Sequence, residues 1–314
     1  VSTFNGVLGK LGIGEETSAY GTVATATEML RLLSEGISPE IARVASPILD
    51  GTAAQREDRR GNKTVAGDLE IEMDYDNNDL LFEAAFGSES SGVYDLVETE
   101  HLSLTLWIEK TVSRFQALGA KINSFTLAGS AGENWIGTFN FKSKDSDRVA
   151  TAFAGISLTS SEPWAFDSTK IRLAIQDAAL DDDDQIYMTN ASIEINHNLD
   201  DGAYRSNSDL PLEHLKSGFR EIKVTGEIAR YDTDQYATWE AAETLLQMDF
   251  TIPGTGSNNA LIQLPVLKIT QIPNVPISGP GPAGVPIELT AYLNAARNTN
   301  LSAITKEVRL TIET

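Results

Sequence analysis

The chain has 314 residues, with 45 acidic against 24 basic side chains and a formal net charge of -21. That imbalance works against tight binding to phosphate backbones; a groove-reading nucleic-acid binder carries the opposite bias. There is no cysteine, which excludes disulfides, thiolate catalysis and thiolate metal sites.

Residues 1–28 are rich in Gly, Thr and Ala with weak periodicity and read as an extended N-terminal arm. From Met29 to Ile48 apolar and polar residues roughly alternate, and Asp50 to Asn62 then forms a polar loop of unusual length. The clearest element is Thr64 to Asp76. Val65, Leu69, Ile71 and Met73 fall on one side of a period-two pattern, and Asp68, Glu70, Glu72 and Asp74 fall on the other. Such alternation predicts a strand with one buried face and one wet, acidic face. Asp76 to Gly87 changes to helical spacing, with Leu80, Leu81, Ala84 and Ala85 on one side and Gly87 as the stop. Strands are predicted next at His101–Glu109, Lys121–Leu127 and Trp135–Lys142.

The second half repeats this order. Ser192–Leu199 alternates, a polar loop runs from Asp200 to Gly218, and Ile222–Ile228 is a strand. A helix is predicted over Asp232–Gln247, followed by strands at Met248–Ile252, Leu264–Ile272 and Pro286–Leu293. Gly67-Asp68 matches Gly226-Glu227, and Glu83-Ala84-Ala85 matches Glu240-Ala241-Ala242, both at an offset of about half the chain. The repeat divides the chain into a first domain at 29–160 and a second at 161–314. A last strand at Lys306–Glu313 is free to pair with a neighbouring molecule.

No convergent set of catalytic groups stands out. His101, His197 and His214 lie at unrelated places, each expected within or beside a strand. Gly12-Ile13-Gly14 lacks the third glycine and the preceding strand of a dinucleotide fingerprint. The run Asp181–Asp184 lacks the alternation, central Gly and distal Glu of a calcium loop and reads as a solvated turn. Ser278–Gly284 reads as a restricted turn. Arg56, Arg59, Arg60 and Lys63 alternate with Glu57 and Asp58, as a surface or subunit contact more than a nucleic-acid patch in so acidic a chain. An enzyme of glycan-hydrolase type would need carboxylates facing across a cleft, whereas alternation along one strand gives a stripe. No cofactor or metal is expected. No apolar run long enough to span a membrane appears, and the first ten residues lack a signal-peptide layout, so folding in a cytoplasm is the expectation.

Across nearly its full length the chain resembles the two-domain phage tail tube proteins. Gly12–Thr22 (GIGEETSAYGT) looks like that family's opening arm, and GNKTVAGDLEIEM like its Gly-Asn-Lys-x-Val-x-Gly strand. IYMTNASIEINHNL and FREIKVTGEI (Phe219–Ile228) are similar to the strands of its second domain. The resemblance implies two tandem β-sandwich domains, each with a short flanking helix and a long inter-subunit loop. Three chains would close a pseudo-sixfold ring, and rings would stack into the tail tube of the virion. Asp68, Glu70, Glu72, Asp74, Glu194 and Glu227 would line the lumen and repel passing double-stranded DNA. Arg56, Glu57, Asp58, Arg59, Arg60, Tyr204 and Arg205 would reach neighbouring subunits or rings. Tape-measure, terminator and distal tail proteins would be the other partners, with no membrane involved. The competing structural reading is a decoration or adhesion protein on a β-sandwich scaffold.

Overall fold

A computed structural model describes residues 9–45, 57–99, 101–110, 112–152, 155–229, 235–271, 284–295 and 297–313. In the first half these form β1 (Lys10–Glu15), β2 (Glu28–Met29), β3 (Leu32–Glu35), β4 (Ser38–Val44), β5 (Arg59–Glu72) and α1 (Asp79–Phe86). Then follow β6 (Glu89–Ser90), β7 (Val93–Asp95), β8 (Leu104–Lys110), β9 (Ser113–Ser130), β10 (Ile136–Ser143) and β11 (Asp145–Arg148). The second half has β12 (Lys170–Ile175), β13 (Gln185–Ile186), β14 (Met188–Asn196), β15 (Glu221–Ile228) and α2 (Gln235–Ala241). It ends with β16 (Leu246–Pro253), β17 (Asn259–Gln271), β18 (Val285–Ala291) and β19 (Arg309–Glu313). The protein is mainly β, with a large antiparallel sheet, as its alternating strands predict.

One pairing scheme occurs twice. In the first half β5 pairs β10, β10 pairs β9, β9 pairs β8 and β8 pairs β1. In the second, β15 pairs β18, β18 pairs β17, β17 pairs β16 and β16 pairs β12. A helix follows the first strand of each set. α1 closes on Gly87, whose left-handed φ of 96° lets its N–H reach the Glu83 carbonyl at 2.7 Å. Its Leu80, Leu81, Ala84 and Ala85 are buried as their spacing predicts, together with Phe82 and Phe86.

The long strand β9 serves two layers. Residues near its start pair with β8 and β11, while Lys121–Ser130 pairs with β10 and β14. Gly119, at φ +61° with the Tyr20 ring against it, sits at this change of partner. The β9–β14 pairing joins the two halves edge to edge, with Phe125 opposite Ile195 and Leu127 opposite Ile193. One apolar cluster therefore runs through both halves.

Several sequence expectations change. Part of the arm is a core strand: Leu11 and Ile13 are fully buried, and β1 pairs with β8 over six residue pairs. The loop after Asp50 ends sooner than expected, since Arg59–Asn62 already belongs to β5, paired with β4. The second helix is shorter, because β16 takes over at Leu246. The start of its predicted span, like Ser278–Ala283 of the expected turn, lies outside the described residues. β19 needs no neighbouring molecule: it lies between β17 of the second half and β7 of the first.

Candidate functional site

The strand register builds a single polar surface. β5, β10, β9, β14, β15 and β18 lie side by side, and directly opposed residues share a face. One row crosses the sheet as Glu70, Thr138, Thr126, Glu194, Lys223 and Thr290. The next crosses as Asp68, Asn140, Ser124, Asn196 and Glu221. On the opposite face Leu69, Phe139, Phe125, Ile193 and Val224 are buried, and Phe125 stacks on Phe139 with ring centroids 4.5 Å apart. The two sets alternate along every strand, so burying the apolar face puts the acids in water.

Five of the six expected lumen residues share this surface. Asp68, Glu70 and Glu194 are exposed, and Glu72 and Glu227 half-buried. Most are oriented by neighbours. Asn140 donates to Asp68 at 2.7 Å, Ser34 donates to Glu70 at 2.7 Å, and Glu72 accepts from Asn134 at 2.9 Å and Arg31 at 3.1 Å.

Asp74 departs from the stripe. It is fully buried, accepts the backbone N–H groups of Asp76 and Asn77 at 3.0 and 2.8 Å, and pairs with Arg31 Nε at 2.9 Å. The period-two pattern cannot be carried to it because β5 ends at Glu72 and the chain turns into α1. An Asp at such a turn binds its own following backbone. The face has members beyond the expected acids. Glu221 and Glu288 add acid, while Lys142 and Lys223 interrupt it, Lys223 directly opposite Glu194. The alternation Ile287-Glu288-Leu289 carried the signal for Glu288.

The start of β5 meets the 200–218 loop within one chain. Arg60 pairs with Asp209 at 2.9 Å, the Lys63 N–H donates to the Asp209 carbonyl at 2.8 Å, and the Tyr204 hydroxyl donates to the Lys63 carbonyl at 3.1 Å. Asp58 faces Arg43 at 3.6 Å, whereas Glu57, Arg59 and Arg205 are exposed. Arg56 lies outside the described residues. All these groups gather where the polar sheet carries Val65, Ser143 and Asn196; the other end carries Glu72, Ile136 and Ile228.

Two histidines expected at unrelated places are neighbours. The rings of His101 and His197 lie 4.1 Å apart, both buried. His101 Nδ1 lies 3.2 Å from the Ala84 carbonyl. Burial pushes the His101 ring down to about 2, with the neighbouring His197 and Lys216 adding to it, and pushes His197 down to about 4. The Asp181–Asp184 turn is closed on itself by a capping box, and Asp182 pairs with Lys170 at 2.9 Å. Among the described residues no group of three or more His, Cys, Asp or Glu is arranged to hold a metal ion. No helix there is long and apolar enough to cross a membrane.

Residues 6–291 match the family model described as phage tail tube protein. No curated protein matches the chain.

Proposed function

The chain belongs to the phage tail tube protein family, and we propose that it closes into homo-oligomeric rings that stack into a tube for the DNA genome. The coarse role, a structural subunit of the virion tail, comes with the family. The observation that carries the finer reading is the joined polar sheet, apolar behind and acidic in front, running across both halves of the chain. A sheet of this kind suits the inner wall of a ring, where neighbouring copies cover strand edges and a wide barrel leaves an aqueous channel.

The acids then act by repulsion. Duplex DNA carries about one negative charge per ~1.7 Å of axis. A wall bearing Asp68, Glu70, Glu72, Glu194 and Glu227 offers phosphates no binding site, so the polymer slides. Lys142 and Lys223 weaken that field locally, and Lys142 is already engaged by Asp201 at 3.0 Å. The twice-used pairing scheme supports reading the chain as two modules, 29–160 and 161–314, and three chains as a pseudo-sixfold ring. Arg59 and Arg60 at the start of β5, with Tyr204 and Arg205 of the 200–218 loop, then face neighbouring copies. Tape-measure, terminator and distal tail proteins are the remaining partners of such a tube.

Negative-stain electron microscopy of the purified chain tests this: rings or tubes with a central hole are expected. A protein that stays monomeric at high concentration, with no ring in virions, removes the reading. Glu70→Cys places the wall, since a lumen thiol resists bulky reagents in assembled particles but reacts freely in monomers.

A further inference from the structure

We infer that the buried His101–His197 pair is an acid-operated latch between the two halves of the chain, which frees the Val97–Thr99 segment from Lys216 and Arg220 when it takes up protons. The inference goes beyond the tube reading and does not depend on it. The rings lie 4.1 Å apart at 49° and are 4% and 0% exposed. His101 Nδ1 is 3.2 Å from the Ala84 carbonyl, which can only accept, so that nitrogen carries the proton of the neutral ring. His101 Nε2 and both nitrogens of His197 have no hydrogen-bond partner of good geometry among the described residues, although the Ala85 carbonyl faces His197. Buried polar atoms are nearly always satisfied, so an orphaned pair of rings calls for a reason.

The pair sits where the halves are tied together. His101 follows β7 of the first half, and His197 follows β14 of the second. Just before His101, Lys216 Nζ donates to the carbonyls of Val97 at 3.1 Å and Thr99 at 2.7 Å, and Arg220 Nη1 donates to that of Val97 at 2.9 Å. Arg220 also pairs with Glu98 at 3.0 Å and Glu307 at 2.7 Å, and Lys306 reaches Glu98 at 2.6 Å. The charged groups acting on the rings are the cations Lys216 and Arg220, while α1 presents the Ala84 and Ala85 carbonyls.

A proton on either ring puts a buried positive charge beside those two cations and against a second imidazole. Burial and that repulsion hold both rings neutral, His197 at about 4 and His101 at about 2, whereas a solvated histidine protonates near 6.5. Acid therefore favours an opening that brings the rings to water. The smallest such opening parts the segment leading to His101 from Lys216 and Arg220. Other ties of the 200–218 loop, Lys121 to Glu213 at 2.8 Å and Tyr204 to the Lys63 carbonyl at 3.1 Å, involve no imidazole and stay closed. Each freed ring favours the open form by about tenfold per pH unit below ~6.5, so two rings approach about a hundredfold.

Hydrogen exchange of the full chain, corrected for the intrinsic rate at each pH, tests this between about pH 6.5 and about pH 4.5. Glu98, held below the ordinary carboxylate range by its bond to Lys306 and by Arg220, stays largely charged over that interval. The reporter is the Val97 N–H, bonded to the Phe86 carbonyl at 3.1 Å, and the control is the Leu212 N–H, bonded to the Ala203 carbonyl at 2.9 Å. Opening at Val97 is expected to approach about a hundredfold per pH unit in wild type and about tenfold in His101→Gln or His197→Gln. Leu212 should keep its protection throughout. The chain has three histidines, so their ring signals are readily told apart by NMR; two should stay neutral until Val97 opens and then protonate in the same step. A pH-independent Val97, a slope unchanged in both variants, or equal opening at Leu212 overturns the inference. So does ring protonation without opening in wild type, which needs no variant to fold.

Discussion

Arg309 grips Asp95 through two hydrogen bonds, Nε at 2.8 Å and Nη2 at 2.7 Å, and so ties the last strand of the chain to a strand of its first half. The pair lies in register within the β19–β7 ladder, where Arg309 opposes Asp95 and Leu310 opposes Tyr94. Most of each side chain is covered, with 21% and 31% of its surface exposed. A parallel guanidinium–carboxylate pair is among the stronger polar contacts a protein makes.

Replacing Arg309 with Ala therefore leaves Asp95 half-covered and unpaired. The expected loss is roughly 1–3 kcal/mol, the range for hydrogen bonds to charged groups. Urea denaturation of Arg309→Ala, Asp95→Ala and the double variant checks it. A double variant no worse than either single one identifies the pair as the source.

Gly67 and Gly226 should each resist substitution for the same reason. A Cβ at Gly67 would lie 2.4 Å from the Gly36 carbonyl oxygen, and one at Gly226 would lie 2.5 Å from that of Asn190. Both glycines face an irregular stretch of the strand beside them, the break between β3 and β4 or the register shift after Met188. Gly67→Ala or Gly226→Ala is expected to cost about 1–3 kcal/mol as overpacking, read as a lowered thermal midpoint. Gly132, with nothing within 4 Å of its added Cβ, lies outside this close packing and shows what a merely positive φ costs.

The His101–His197 pair predicts acid sensitivity. Both rings stay neutral in the fold, at about 2 and about 4, whereas an unfolded histidine takes its proton near 6.5. Their contribution is complete above about pH 6.5 and is lost as pH falls through the folded values, because the unfolded state binds more protons. Glu28 opposes this over part of the range. Burial raises it to about 7, so its contribution is present below its unfolded value and lost as pH rises through about 7. Stability measured from pH 7.5 to 4 in wild type and His197→Leu separates them: the variant should show a shallower acid-side loss.

On the tube reading, reversing charge on the polar sheet should create a surface that binds DNA. Glu70 and Glu194 sit in one row across the β10 and β9 strands. The Glu70→Lys/Glu194→Lys double variant is expected to assemble, since both side chains are exposed. Its tubes should retain duplex DNA at low salt and release it as salt rises, where wild-type tubes retain none. Filter retention of labelled DNA at several salt concentrations reads the difference.

The amino-acid sequence by itself determined what repeats over short distances. Leu69 and Ile71 against Asp68 and Glu70 define a half-wet strand, because a strand reverses face at every residue. Leu80 to Gly87 defines a short helix, because its spacing and stop are local too. Only the tertiary structure decided what those strands do together. It set β14 beside β9, so that Glu194 extends the row begun by Glu70, and it brought His197 against His101. It folded β1 into the core, withdrew Asp74 from the acidic face, and ran β19 between the two halves. The physical reason is that alternation states which face of a strand is buried but not which strand lies beside it. That choice is made by backbone edges and apolar faces far apart in the chain.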